Sequence, residues 1–206
     1  MTLRQLAFST LLTAAICHAD PMVQLVTNGS FETGNFSGWT VSGNATPCLF
    51  VGAANDGRCF PATAFGAEAG NYAAELGNAG ADASLSQTIA TTGGGSYDVS
   101  FWLASQSYGT ADNDFTVTWG GTTLMNAVNV GGFGYTRYDF SGLTAAGLTT
   151  VLTFTFHDTP AYFALDNVSV VDPVPEPAPL TALGLLCALF AYSELRHGAP
   201  TGSQTR

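Results

Sequence analysis

The chain has 206 residues, 15 of them acidic and 5 basic, and its formal net charge is -10; every basic residue is arginine. Phosphate binding rests on clustered Lys and Arg, so this balance excludes nucleic acid as a partner class. Charged residues are only 10% of the chain against 24 glycines and 12% aromatics, which fits a turn-rich β protein and not a disordered acidic chain, since those lack aromatics.

The mean hydropathy of +0.22 is not evenly spread, because dense apolar runs sit at both ends. Residues 1–19 carry Arg4, the apolar run Leu6 to Cys17, and Cys17-His18-Ala19 with small residues at the -3 and -1 positions of a cut before Asp20. This pattern reads as a secretory signal peptide, the alternative being a buried N-terminal helix. The folded domain is then expected over residues 20–172.

Within it, Leu25 to Gly34 and then Gly38-Trp39 supply an opening strand and turn. Of the four cysteines, Cys17 leaves with the signal and Cys187 lies in the C-terminal segment. In an exported protein the remaining Cys48 and Cys59 are expected to form a disulfide, worth ~3 kcal/mol in the chain-entropy model. The alternative is a zinc pair, for which the domain offers only His157 as a further soft ligand.

Farther along, Ser96 to Ser105 alternates, with Tyr97, Val99, Phe101 and Leu103 on one face. Phe115, Val117 and Trp119 repeat the pattern, as do Leu152, Phe154 and Phe156. A period of two marks half-buried strands, and Gly93 to Gly95, Gly120-Gly121 and Gly131-Gly132 supply the turns between them. The expected fold is all-β, an antiparallel sandwich of about eight strands. Trp119 shares the parity of Phe115 and Val117 and is assigned to the core together with Trp39. Asp112-Asn113-Asp114 lacks the spacing of a calcium loop and reads as a solvated turn.

Trp102 falls on the face opposite Phe101, with Asp98 and Ser100. An aromatic ring beside small polar groups suits a sugar, whose apolar faces stack and whose hydroxyls bond to carboxylates. His157, in phase with Thr153 and Thr155, also projects from an outer face. Trp102, Asp98 and His157 are therefore the candidate ligand-binding residues, the alternative being a Trp102 covered by a neighbouring segment.

The opening Leu25-Val26-Thr27-Asn28-Gly29-Ser30-Phe31-Glu32-Thr33-Gly34, the middle segments Gly70-Asn71-Tyr72-Ala73-Ala74-Glu75-Leu76-Gly77 and Leu85-Ser86-Gln87-Thr88, and the closing Leu165-Asp166-Asn167-Val168-Ser169-Val170 together resemble galactose-binding-like jelly rolls, including several families of carbohydrate-binding modules. The resemblance implies a sandwich whose first and last strands lie side by side. It also implies a structural Ca²⁺, held by Glu32 and Asp166 carboxylates and by the Ser30 and Asn71 main-chain carbonyls. Hard oxygen donors suit that ion. The alternative is that Glu32 and Asp166 accept amide hydrogen bonds from turns.

After the domain, residues 173–179 form a Pro-rich linker, and an apolar run from Ala178 to Tyr192 is followed by Arg196 and a polar tail, residues 197–206. The run is shorter than the ~20 residues of a spanning helix. Val174-Pro175-Glu176-Pro177, the apolar stretch and Arg196 resemble the PEP-CTERM sorting signal over residues 174–196. This resemblance implies transient membrane insertion of the segment, processing by an exosortase, and delivery to the cell surface or exopolysaccharide matrix of a Gram-negative bacterium.

Enzymatic chemistry needs a nucleophile with a base, or a positioned acid and base. The domain has one histidine, no lysine and no Gly-x-Ser-x-Gly, so a non-catalytic role is expected. Two remain open: a module that binds extracellular polysaccharide, and a structural or adhesion protein of the matrix.

Overall fold

The computed structural model describes residues 22–43, 49–53, 65–77, 81–106, 112–159 and 161–172, all within one compact unit, Met22–Pro173. The leader, Cys48, Cys59 and the sorting segment from Val174 to Arg196 lie outside the described residues.

Ten strands are present among the described residues: β1 (Thr40–Ser42), β2 (Leu49–Gly52), β3 (Ala73–Leu76), β4 (Ala83–Ala90), β5 (Ser96–Ser105), β6 (Asp112–Trp119), β7 (Thr122–Val128), β8 (Phe133–Thr144), β9 (Thr149–Thr159) and β10 (Phe163–Val171). They form two five-stranded sheets. The first has the order β2-β3-β10-β5-β8 and the second β1-β4-β9-β6-β7. All pairings are antiparallel, and no helix occurs among the described residues. The all-β sandwich is as expected, with two more strands because β1 and β2 are too short to show a period.

Alternation builds the core. Tyr97, Val99, Phe101 and Leu103 of the first sheet, and Phe115, Val117, Trp119, Leu152, Phe154 and Phe156 of the second, are all buried in one cluster. Aromatic rings lock the sheets together: Phe101 meets Phe154 edge-on at 5.3 Å, and Phe115 meets Phe163 at 5.1 Å. Trp39 stacks on Phe31 and leans on Phe154, and its indole nitrogen donates to the Asn28 carbonyl. Trp39 and Trp119 are thus core residues, as their positions suggested.

The opening segment lies beside β10. The Leu25 amide donates to the Val170 carbonyl and the Val168 amide to the Gly29 carbonyl, and Gln24 Oε1 accepts the Val26 and Val170 amides. The segment also reaches the second sheet, where the buried Gln87 side chain exchanges two hydrogen bonds with the Thr27 main chain. A glycine is required where it crosses β10, because a Cβ on Gly29 would collide with the Val168 carbonyl oxygen. There β10 itself carries a bulge between Asp166 and Ser169, with Asn167 at a φ of 47°.

One expectation is corrected. Asp112-Asn113-Asp114 is not a solvated turn but the start of β6. Asn113 shares the parity of Phe115 and is buried, and its side-chain amide satisfies both main-chain groups of Val130, as a peptide group would. That pairing lets a polar residue occupy a core position.

Replacing Phe154 by Ala removes the ring that touches Phe101, Phe115 and Trp39. We expect a loss of about 3–5 kcal/mol in urea unfolding, whereas Val151→Ala on the outer face of the same strand stays within about 0.5 kcal/mol.

Candidate functional site

With one face of each strand committed to the core, chemistry is left to the outer faces. On the first sheet, Asp98, Ser100 and Trp102 of β5 point outward and are half-buried. Trp102 stands in register with Arg137 of β8 on one side and Asp166 of β10 on the other, and Ser100 with Asp139. Arg137 pairs with Asp139 at 2.8 Å. Asp98, Ser100, Arg137, Asp139 and Ser169 line a shallow hollow of ≈ 180 Å³. The partly buried Trp102 thus stands beside Arg137, one of the residues that line this hollow of hydroxyls, carboxylates and a guanidinium.

The other half of this face is covered. Phe65 packs edge-on against Tyr135 of β8 at 5.9 Å, and the Glu68 and Ala69 amides donate to Asp166 Oδ2. The chain from Phe65 to Ala69 therefore crosses from β8 to β10. Asp166, under this cover, is buried although it points away from the core, as are Glu75 and Ala164. Beneath it, burial raises the Tyr135 hydroxyl well above its ordinary value, and the charges of Glu75, Asp166 and Glu68 add to the effect.

The same loop pins the second carboxylate of the expected calcium set. Glu32 Oε1 accepts the Asn71 and Tyr72 amides, and Oε2 accepts the Asn71 side-chain amide. These bonds, Tyr72's first, hold Glu32 below its ordinary pKa. Asp166 is fully buried; desolvation pushes its pKa up to about 6 against the pull of the Asn167, Ala69 and Glu68 amides. Both carboxylates thus accept turn amides, the arrangement named above as the alternative to calcium. Ser30 lies in the turn before Glu32 and lines a hollow with Asn28, Asn167 and Ser169. Glu68 brings a third carboxylate, whose Oε2 accepts the Asn167 side-chain amide at 2.7 Å.

His157 does not join Trp102. It lies on β9, on the outer face of the second sheet, where Asp82, Asp112 and Asp114 surround it. Burial alone would lower its pKa, but the charge of Asp114 and the bonds to Asp82 and Asp112 outweigh this and raise it. Asp98 shares the Trp102 face, and its Oδ1 accepts the Gly142 amide. The sequence reading missed Arg137, Asp139 and Tyr135. Their positions on β8 follow from strand pairing, and β8 is an edge strand whose partly exposed pattern gives no clean alternation.

No protein-family model matches the chain, and no curated protein matches its sequence. Its fold is found among solved structures. The module TmCBM61, solved in complex with β-1,4-galactotriose, is similar with a TM-score of 0.55 at 21% identity, over 73% of this chain and 99% of that one. The K3 adhesin domain of Lys-gingipain from Porphyromonas gingivalis aligns with a TM-score of 0.48 at 16% identity over 72% and 99%. A second family 16 carbohydrate-binding module gives 0.46 at 17% identity over 71% and 99%. The likeness to TmCBM61 is one of fold: the chain has the β-sandwich of a carbohydrate-binding module.

Replacing Glu32 by Ala removes the acceptor for the Asn71 and Tyr72 amides. The expected result is faster hydrogen exchange at those two amides and a lower melting temperature, with exchange in β5 and β9 unchanged.

Proposed function

We propose that this protein is an exported, non-catalytic binding protein that takes extracellular polysaccharide on the open outer face of its first sheet. The observation that carries the reading is Trp102, half-buried on that face and flanked by Arg137 and by the hollow of Asp98, Ser100 and Asp139. Sugar rings stack on such indoles, and their hydroxyls bond to the flanking polar groups. The sandwich shared with TmCBM61, a protein solved with a bound galactotriose, supports the reading without choosing the sugar. Export rests on the residue 1–19 pattern, and delivery to the surface or matrix through an exosortase rests on the PEP-CTERM resemblance of residues 174–196.

A structural calcium ion belongs to the same proposal. The donors Glu32 and Asp166 are both carboxylates, each has taken three amide bonds, and a carboxylate has about four lone-pair positions. Arg137, the one Lys or Arg among the described residues, is paired elsewhere with Asp139, so a cation would neutralise carboxylates that have no basic partner there. By the resemblance, Glu32 and Asp166 would hold the ion with the Ser30 and Asn71 carbonyls, and it would tie the opening turn to the covering loop. Chelation is then expected to lower the melting temperature and Ca²⁺ to restore it, in the His157→Gln variant as well; no shift contradicts the ion.

A second reading, a structural or adhesive matrix protein, is favoured by the second sheet. Its outer face carries in-register polar rows, Ser42-Ser84-Thr155-Thr116-Asn126 and Thr40-Ser86-Thr153-Thr118-Thr123, with no aromatic platform. Affinity electrophoresis of the whole chain in neutral and acidic polysaccharides separates the two. Binding weakened about ten-fold, or ~1.4 kcal/mol, by Trp102→Ala and unchanged by Thr153→Ala supports the first reading. Absence of binding by the folded wild-type protein moves the assignment to the second.

A further inference from the structure

The cluster around His157 lies outside that face and has no part in the proposed sugar site. Strand register gathers it: Asp114 of β6 stands directly opposite His157 of β9, and Asp82 precedes Ala83, the β4 partner of Phe156. Three neighbouring strands of one rigid sheet therefore each present a donor at the same end. Asp82 Oδ1 and Asp114 Oδ1 both approach His157 Nδ1, at 3.0 and 2.9 Å. Ligand atoms of the three residues all lie within 4.8 Å of one another, a span that a single ion can bridge.

Two further features point to an ion there. The first lies on the other side of the ring, where Asp112 Oδ1 is 3.5 Å from Nε2. Metal-bound histidines characteristically hold their second nitrogen against a carboxylate, which fixes the ring and strengthens it as a ligand. Nδ1 faces the two convergent carboxylates while Nε2 faces the third, which is that arrangement. The second feature is charge. One imidazolium cannot balance three carboxylates, and the described residues bring no Lys or Arg to the cluster; a divalent ion on a neutral imidazole offsets more of that charge than a proton does.

We propose that Asp82, Asp114 and His157 bind a divalent first-row transition ion across the β4, β6 and β9 ends, with Asp112 as the positioning residue on Nε2. Mixed imidazole and carboxylate donors suit zinc and its neighbours, in contrast to the all-oxygen calcium set. His157 and Asp114 are each 24% exposed and Asp82 58%, so an ion can enter directly and keep a position for water. Bound there, it clamps three strands at the end where only side-chain contacts now join Asp82 to His157.

The test is a calorimetric titration of the metal-stripped whole chain with ZnCl₂, alongside its melting temperature. A saturable zinc site is expected, lost in His157→Gln and weakened about ten-fold in Asp112→Asn. Zinc should raise the melting temperature of the wild type and not of His157→Gln, and excess Ca²⁺ should not compete. Asp82→Asn, a change at an exposed carboxylate, reports the same loss if His157→Gln fails to fold. Zinc binding that is absent from the wild type, or that persists unchanged in His157→Gln or Asp82→Asn, overturns the site; persistence assigns the zinc to other residues, such as the cysteines.

Discussion

The packing of aromatic rings between the two sheets is the constraint from which the other features follow. Phe101 and Phe163 on one side and Phe115 and Phe154 on the other occupy alternate positions of their strands, so each intervening residue is forced outward. Trp102 and His157 are outward for the same reason, since each neighbours a core aromatic. The core thereby decides which side chains are free to meet a ligand. It also keeps Trp102 and His157 apart, on the outer faces of different sheets.

On the first sheet that freedom is cut in half by the segment from Phe65 to Tyr72. Its attachment is unusual for so acidic a chain in using almost no ion pairs. Asp166 and Glu32 accept main-chain amides of the segment instead, which satisfies the carboxylates where basic residues are scarce. The cost is a carboxylate taken out of water under the loop, and that desolvation raises the pKa of Asp166. The proposed cations at the loop and at His157 would be separate answers to one shortage of positive charge, at an all-oxygen site and at a mixed one.

Much of this was legible in the sequence. The period of two in β5, β6 and β9 located the strands, and parity alone put Trp102 outside and Trp119 inside. The opening and closing segments lay side by side as their resemblance implied. Parity, however, names a face of a strand and not the sheet to which the strand belongs, so His157 was grouped with Trp102 although they lie on different sheets. Asp112-Asn113-Asp114 misled because composition says turn, while the side-chain amide of Asn113 satisfies Val130 and extends β6 into the core. The buried state of Asp166 depends on a covering loop 97 residues or more away in sequence, and the approach of Asp82, Asp114 and His157 depends on register across three strands. Neither leaves a local signal.

The central claim is that ligand binding belongs to the open outer face of the first sheet. Amide chemical-shift mapping of the isotope-labelled protein with a polysaccharide that it retains tests this most directly, together with the Trp102 indole signal. The account predicts that shifts concentrate at the Trp102 indole and at residues 98–102 and 137–141, with the second sheet unperturbed. Shifts confined to β4, β6 and β9, with a silent Trp102 indole, would contradict it.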